Sequence, residues 1–274
     1  MVTVRVGDAE LEVSEWGAGE PVVFIQTALT ADELVPLATH PALGHGYRRV
    51  VYHRRGYAGS SPATGDGSIR HDADDCRGLL AAMGIDRAHI VGYSYSGAVA
   101  LQLAADAPEC SHTLTLLEPP PVHTPSAPEF REVNERLFAT RRAHGPVVAL
   151  DEFLKLAMGP EWGDVIDARL PGARTQMERD AATFFDADLP GLLRWQFAAR
   201  DAQRVRCAVL SVWGAESRSW FHEVRMLLRD WLPQSEEVVI EGADHALALA
   251  DASQVAVAVS DFLGRHAMDP GSPA

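Results

Sequence analysis

The chain opens with alternating polar and apolar residues and then changes to continuous apolar runs. Residues 2–6 and 10–16 alternate with a period of two, and Gly7-Asp8 between them predicts a β-hairpin. Residues 21–26 form a largely apolar run, which is typical of a strand buried on both faces. The same reasoning predicts further strands over residues 47–53, 89–92, 113–117, 207–213 and 237–241.

Helical periodicity fills the intervals between most of these strands. Residues 71–83 place their apolar side chains on one helical face, and Gly84 follows as a C-terminal cap. Helices are also predicted over residues 98–107, 221–232 and 253–266. Strands that alternate with helices predict the α/β class, with a mostly parallel central sheet flanked by helices. Ligand sites in such sheets lie beyond the carboxyl ends of the strands.

The middle of the chain has a different pattern. Five prolines between positions 119 and 128 prevent any regular element there. Helical patterns then cover residues 129–144, 147–158 and 173–185, and no strand is predicted before residue 207. We therefore expect an all-helical lid insertion. The predicted divisions are an α/β core from residues 1–120 and 204–267, a helical cap from residues 121–203, and a disordered tail over residues 268–274.

Composition and charge narrow the possible partners. Acidic residues number 38 against 24 basic ones, and the net charge of −14 disfavours binding to nucleic acids and anionic membranes. The three cysteines have no metal-binding spacing, and we expect neither a metal nor an organic cofactor. With neither a signal peptide nor a membrane span in the sequence, we expect a cytoplasmic protein. No feature of the sequence indicates an oligomeric state.

The sequence Gly92-Tyr-Ser94-Tyr-Ser96-Gly97 lies between a short apolar strand and a helix rich in small residues. A G-x-S-x-G turn in this context places its serine on a sharp bend, where small residues two positions before and after make room. Here Ser96 stands where glycine is usual. The turn also directs the first amides of the helix at the reacting group. We therefore predict Ser94 to be a nucleophile.

A serine nucleophile needs a base within hydrogen-bonding reach. His245 follows the last predicted strand and precedes the last helix, so its loop can reach the carboxyl ends of the central strands. We predict His245 to be that base. Four other histidines, His53, His71, His89 and His112, lie at the edges of elements, and most of them are expected to be solvent-facing or capping residues.

Together these motifs resemble those of α/β-hydrolases of the esterase, haloperoxidase and C–C hydrolase type. The resemblance covers residues from about 10 to 118 and 205 to 266. Residues 52–60 (YHRRGYAGS) are similar to the family's D-x-R-G-x-G-x-S loop, with His53 at the usual aspartate, and residues 242–245 are similar to its histidine loop. The family's nucleophile, acid and base follow in that chain order.

The resemblance also implies an oxyanion hole. Its two backbone amides fall on Ala28 and Tyr95, and this chain carries Gln26-Thr27 where the family usually has His-Gly. A threonine in place of glycine is expected to reshape the hole or narrow access to it.

The triad acid departs from the family pattern as well. Gly214-Ala-Glu-Ser217 places a serine at the expected aspartate, and a neutral serine cannot stabilise an imidazolium. Glu118 ends the strand expected beside the one leading to Ser94, and we favour it as the acid. Glu216 is the alternative, whereas Asp244 is interpreted as a turn residue.

The lid is expected to cover the site and set its specificity. Among its aromatic residues, Phe184, Trp195 and Phe197 are candidates to face the pocket, and Tyr95 is expected to border it. An apolar roof suits a small-molecule substrate with an apolar or aromatic acyl group. The favoured function is hydrolysis of a carboxylic ester or related acyl compound through an acyl-enzyme. Alternatives are a C–C hydrolase, lactonase or cyclase with the same triad, and a non-catalytic ligand receptor.

Overall fold

A mixed sheet of eight strands forms the centre of the molecule. The computed structural model describes residues 1–63 and 65–268. The strands are β1 (Val2–Val6), β2 (Ala9–Trp16), β3 (Glu20–Ile25), β4 (Tyr47–Tyr52), β5 (Ala88–Tyr93), β6 (Ser111–Leu117), β7 (Ala208–Gly214) and β8 (Glu236–Ile240). Each predicted strand is present within one or two residues of its expected bounds.

The sheet order is β1-β2-β4-β3-β5-β6-β7-β8. β1 and β2 pair as an antiparallel hairpin in which Val6 opposes Ala9 across Gly7-Asp8, and Gly7 has a φ of 56°. β2 runs antiparallel to β4, whereas the strands from β4 to β8 are all parallel. The prediction of a mostly parallel sheet is confirmed. The carboxyl ends of β5, β6 and β7 therefore open at the same edge.

Twelve α-helices occur in the described part of the chain. They are α1 (Val35–Ala38), α2 (Ile69–Ala82), α3 (Tyr95–Asp106), α4 (Ala127–His144), α5 (Pro146–Met158), α6 (Trp162–Arg169), α7 (Ala173–Thr183), α8 (Leu189–Arg194), α9 (Ala199–Ala202), α10 (Ser219–Trp231), α11 (Leu247–Ala250) and α12 (Ala252–Arg265).

Two apolar cores cover the two faces of the sheet. On one face α2, α3 and α10 contribute buried residues such as Leu79, Leu103 and Leu228. On the other face α1, α11 and α12 contribute residues such as Leu37 and Phe262. Helices on both faces explain why the parallel strands consist of continuous apolar residues.

The segment between β6 and β7 contains the helices α4 to α9 and the loops that join them, with no strand between residues 118 and 207. We call residues 121–203 the helical insertion. Its apolar core includes Leu137, Met177 and Phe185, and Leu29 from the loop after β3 packs into the same core. The insertion is thereby fixed to the loop after β3 that carries Ala28.

One predicted helix of the insertion differs in its ending. The pattern over residues 173–185 predicts one continuous α-helix, but α7 ends at Thr183 and Phe184–Asp188 form a π-helical turn. A π-turn admits an extra residue, and such turns are frequent at functional sites. Three further helices of the insertion were not predicted, because α6 has 8 residues, α8 has 6 and α9 has 4, too few for a clear period.

Most of the predicted tail, residues 269–274, lies outside the described residues. Met268 is described, and its backbone N–H donates to a carboxylate oxygen of Glu20 at 3.0 Å. Across residues 1–63 and 65–268, none of the helices has both the length and the hydropathy that a membrane crossing requires.

Candidate active site

Ser94 occupies a strained turn between β5 and α3. Its φ of 50° and ψ of −119° lie in a region that residues other than glycine rarely adopt. A Cβ on Gly92 would lie 2.4 Å from the carbonyl oxygen of Ser96 and 2.7 Å from the Cβ of Ala100, so only glycine fits there. Ser96 closes the turn, because its hydroxyl accepts the Tyr93 N–H at 2.9 Å. The serine at position 96 thus substitutes for the usual glycine without opening the bend.

The His245 imidazole lies directly beside Ser94. Its Nε2 is 3.1 Å from the Oγ of Ser94. The ring of Phe221 stacks on the imidazole with centroids 4.2 Å apart and planes 16° from parallel. Asp244 is a turn residue as predicted, since its carboxylate accepts the Ala246 N–H at 2.8 Å. The Tyr93 hydroxyl donates to the His245 carbonyl and anchors the loop to β5.

Glu118 lies on the other side of His245. Its Oε2 is 2.7 Å from Nδ1 of His245, and the side chain is 0 % exposed. Its Oε1 accepts the Gly214 N–H at 2.8 Å and the Ser217 hydroxyl at 2.5 Å. Glu118 has a φ of 41°, a left-handed conformation that turns the chain at the end of β6. Both carboxylate oxygens are therefore committed, and the group is held in one orientation.

The alternative carboxylate, Glu216, is placed differently. Its side chain is exposed, while the neighbouring Ser217 is buried against Glu118. Adjacent residues in this loop point in opposite directions, so Glu216 does not reach His245.

The two predicted oxyanion amides border the same cavity as Ser94 and His245. Ala28 and Tyr95 both line it, and within residues 1–63 and 65–268 neither backbone N–H donates a hydrogen bond. Gln176 of α7 holds the loop that follows Ala28, since its side chain donates to the Leu29 carbonyl at 2.9 Å and accepts the Ala31 N–H at 3.0 Å. The helical insertion therefore supports the loop carrying the first of these amides.

An apolar cavity with an empty volume of about 730 Å³, its solvent-open mouth included, extends from Ser94 into the helical insertion. Phe184 and Tyr95 line it, as expected, but Trp195 and Phe197 do not, and that part of the prediction is wrong. Trp195 packs on Phe197 with centroids 5.2 Å apart and donates its indole N–H to Gln102 at 2.8 Å. Trp195 lies in the core beside α3 because a buried indole N–H requires an acceptor, which Gln102 supplies there, and Phe197 packs on the Trp195 ring.

Two histidines expected at the surface are buried. His53 lies between two carboxylates, with Nδ1 2.8 Å from Glu12 and Nε2 2.9 Å from Asp32. Burial lowers the pKa of His53, but these hydrogen bonds outweigh burial and raise it overall. His89 is also buried, and burial lowers its pKa to about 4. His53 thus ties three segments together at the position of the family's aspartate.

Three residues near the site were not singled out from the sequence. Asn134 of α4 borders the cavity and is 1 % exposed, and Arg218 lines it near the aromatic ring of Trp220. Arg54 lies buried beneath the loop of Ala28. Asn134 could have been found from the sequence, because it is a polar residue within the apolar stripe of α4. Arg54 could not, because its contacts join distant parts of the chain and leave no local pattern.

Comparison with known proteins agrees with this architecture. The family model described as alpha/beta hydrolase fold matches residues 21–252. A relative named "Putative carbamate hydrolase RutD" from Klebsiella pneumoniae (strain 342) is 28% identical over 251 residues, which are 89% of this chain and 92% of that protein.

Two solved structures show the same fold. An esterase from Thermogutta terrifontis superposes with a TM-score of 0.79 at 21% identity, covering 97% of this chain and 99% of the other. A bromoperoxidase from Bacillus anthracis gives a TM-score of 0.78 at 18% identity, covering 96% and 99%.

The chain belongs to the α/β hydrolase fold family. Its matched relative carries a hydrolase name, and the prediction of a hydrolase is confirmed at the level of the class. The expected fold with its mostly parallel sheet and flanking helices is confirmed as well.

Proposed function

We propose that this chain is a serine hydrolase of carboxylic esters or related acyl compounds, with Ser94, His245 and Glu118 as its catalytic triad. The single observation that supports the proposal most strongly is the line of hydrogen bonds from Ser94 Oγ to His245 (3.1 Å) and from His245 to Glu118 (2.7 Å). This line ends at an apolar cavity that a small molecule can enter.

The proposed chemistry follows from these contacts. His245 Nε2 accepts the Ser94 proton as the hydroxyl attacks the substrate carbonyl, and it then gives that proton to the leaving group. Glu118 accepts the Nδ1–H of His245, which keeps Nε2 free as the base and stabilises the imidazolium. Water then attacks the acyl-enzyme with His245 again as the base, and the carboxylic acid leaves.

The oxyanion of each tetrahedral intermediate is assigned to the amides of Ala28 and Tyr95. Both residues border the cavity beside Ser94. The Tyr95 amide belongs to the first turn of α3, where the helix dipole adds partial positive charge. Preorganised donors of this kind contribute a large part of catalysis in acyl transfer.

The helical insertion is proposed to act as the lid that selects the acyl group. Its contribution to the cavity wall is almost entirely apolar; the residues involved are Pro121, Phe130, Val133, Asn134, Leu137, Phe153, Leu156, Ala157, Phe184, Leu189 and Leu192. An apolar wall stabilises a neutral alkyl or aromatic acyl group and gives a small charged substrate few partners. We therefore favour an apolar ester over a small carbamate, despite the name of the relative.

Covalent labelling tests the nucleophile. A fluorophosphonate probe is expected to label the wild-type protein, and Ser94→Ala is expected to abolish labelling. Ser96→Ala is the matched control in the same turn. The Ser96 hydroxyl is hydrogen-bonded to the Tyr93 backbone inside the bend, so this variant should still be labelled. A wild-type protein that resists the probe would instead favour a ligand receptor.

A substrate panel separates the remaining chemistries. It consists of p-nitrophenyl esters of increasing acyl length, a lactone, a carbamate and a vinylogous diketone as the C–C cleavage substrate. Turnover that rises with acyl length supports the ester assignment. Efficient cleavage of only the diketone or only the lactone would assign the protein to C–C hydrolysis or to lactone hydrolysis with the same triad.

A further inference from the structure

Arg54 is an unusual residue for the place it occupies. It lies two residues after the end of β4, is 2 % exposed, and lies beneath the loop that carries Gln26, Thr27 and Ala28. The family-like arginine of this segment is the next residue, Arg55, so Arg54 stands at a variable position of the D-x-R-G pattern. A buried guanidinium needs partners for its charge and its hydrogens, and these partners show what it does.

The guanidinium uses all of its N–H groups. Nε donates to the Gln26 carbonyl at 3.0 Å, and Nη2 donates to the Thr27 carbonyl at 3.3 Å. Nη1 donates to Asp72 at 2.9 Å and to Asp188 at 3.1 Å, and Nη2 also donates to Asp188 at 2.5 Å. An arginine has five N–H donors in a rigid fork, so with every donor engaged only one orientation of the group is possible.

The bond to Thr27 acts on the first oxyanion amide. The Thr27 carbonyl and the Ala28 N–H belong to the same peptide unit, and this structure has no cis peptide bond among its described residues. In a trans peptide the N–H points opposite to the C=O. A donor that holds the Thr27 oxygen from below therefore directs the Ala28 N–H to the opposite side. A cationic donor also polarises that peptide and strengthens its N–H as a donor.

The guanidinium also contacts the side chain of Tyr95, whose backbone N–H is the second proposed donor. Its carbon lies 4.3 Å from the ring centroid of Tyr95, within the range of a cation–π contact. The Tyr95 hydroxyl donates to Asp72 at 2.8 Å, the same carboxylate that Arg54 binds. The side chain of Tyr95 is therefore held at both its ring and its hydroxyl. This fixes the residue whose backbone N–H is the second proposed donor.

The remaining partner comes from the helical insertion. Asp188 closes the π-helical turn, binds Arg54 through both carboxylate oxygens and accepts the Tyr57 hydroxyl at 2.6 Å. The ion pair is thus completed only when the insertion is packed on the core.

We propose that Arg54 is a positioning residue that aligns both oxyanion amides, those of Ala28 and Tyr95, and that Asp188 makes this alignment depend on the docked insertion. The inference rests on the proposed function. It also gives a role to Gln26 in place of the usual histidine, because the Gln26 side-chain oxygen accepts the backbone N–H of Arg54 at 2.7 Å.

The test compares two inhibitors that differ only in forming an oxyanion. A long-chain alkyl trifluoromethyl ketone adds the serine hydroxyl and becomes a tetrahedral anion, whereas the corresponding methyl ketone stays largely a neutral ligand of the same cavity. The ratio of their inhibition constants therefore reports the oxyanion hole apart from the cavity. It is measured for the wild type, Arg54→Met, Arg54→Lys and Arg55→Met, together with kcat and KM for one ester.

We expect R54M to lower kcat by about 100-fold or more, the loss seen when one oxyanion donor is removed. KM should change little, and the inhibitor ratio should fall with kcat. R54K keeps the charge but has at most three donors, so its inhibitor ratio is expected to lie between those of the wild type and R54M. R55M is the matched control, because Arg55 binds Asp75 and Asp8 away from the loop, and its ratio should stay at the wild-type value.

The outcomes are distinguishable. Should R54M and R54K both fold and keep the wild-type ratio, the positioning role is wrong and the pair with Asp188 is only structural. Should R54M fail to fold, R54K decides, because it retains the buried charge beside Asp188. A wild-type protein that resists the fluorophosphonate and binds both ketones equally overturns the proposed function itself.

Discussion

The Ser217 hydroxyl donates to Oε1 of Glu118 across 2.5 Å. Position 217 is where the family usually carries its aspartate, and position 118 is at the end of a different strand. The two side chains nevertheless meet at one point beside His245, since Oε2 of the same Glu118 lies 2.7 Å from Nδ1. A carboxylate at position 217 is therefore expected to lie within reach of the same imidazole, and the serine found there donates a hydrogen bond to Glu118.

Glu118→Gln tests the assigned acid. The amide keeps the size of the side chain but cannot stabilise an imidazolium, and kcat is expected to fall by about 10,000-fold, as when the aspartate of a serine-protease triad is made neutral. Ester hydrolysis is the measurement. Glu216→Gln is the matched control, since Glu216 is exposed, and it should keep wild-type turnover. The opposite ranking would transfer the role to Glu216.

Moving the carboxylate back to position 217 tests whether an acid at that position also reaches His245. In the E118Q background, Ser217→Asp places an acid where the family usually has one, and we expect kcat to recover by about tenfold or more over E118Q alone. Ser217→Asn in the same background supplies the shape without the charge and should remain inactive. Equal turnover of the two double variants would show that position 217 does not reach His245 with a carboxylate.

Glu33 makes stability depend on pH. Its side chain is 6 % exposed, and burial raises the pKa of its carboxyl from 4.5 to about 8. Between these two values the folded state binds the proton and the unfolded state does not, so the free energy of unfolding falls as pH rises. The contribution of the neutral carboxyl is fully present below the unfolded value and is lost as pH rises through about 8.

Glu33→Gln is therefore expected to flatten this decline and to make the protein more stable than the wild type above pH 8. Urea unfolding at intervals between pH 5 and pH 9, a range that includes the titration of Glu33, measures the free energy of unfolding of both proteins. Glu241→Gln changes an exposed carboxylate and should keep the wild-type slope. A variant E33Q with that same slope would show that Glu33 is ionised in the folded protein.

Asn134 is expected to influence which acyl groups bind. Its Nδ2 donates to the Phe130 carbonyl at 2.7 Å, which leaves Oδ1 as an acceptor in a residue that borders an otherwise apolar wall. Asn134→Leu should raise kcat/KM for plain alkyl esters relative to ω-hydroxyalkyl esters by about five- to tenfold, the value of one lost hydrogen bond. Thr140→Val removes a polar group from the same helix outside the cavity and serves as the control. An unchanged ratio in N134L would place the acyl chain elsewhere.

The elements of the fold could be predicted because each is encoded locally. A buried parallel strand is a continuous apolar run, and a helix on the sheet repeats its apolar residues with the period of its turns. Short or irregular pieces carry too few residues for a period, which is why α6, α8 and the π-turn at Phe184–Asp188 were not predicted. The aromatic residues Trp195 and Phe197 were misplaced for a related reason. An aromatic residue fits a core and a pocket wall equally well, and only the acceptor on Gln102 directs the Trp195 indole into the core, where Phe197 packs on it.

The sequence by itself determined the candidate nucleophile and base, since Ser94 follows an apolar strand, precedes a small-residue helix and is matched by His245 late in the chain. Only the tertiary structure decided which carboxylate faces His245, because Glu118 and Glu216 both follow strands and the direction of each side chain depends on backbone angles and on packing. The same holds for Arg54, whose five hydrogen bonds join residues from Gln26 to Asp188. Local order leaves a periodic pattern along the chain, whereas contacts between distant side chains depend on how the finished elements pack.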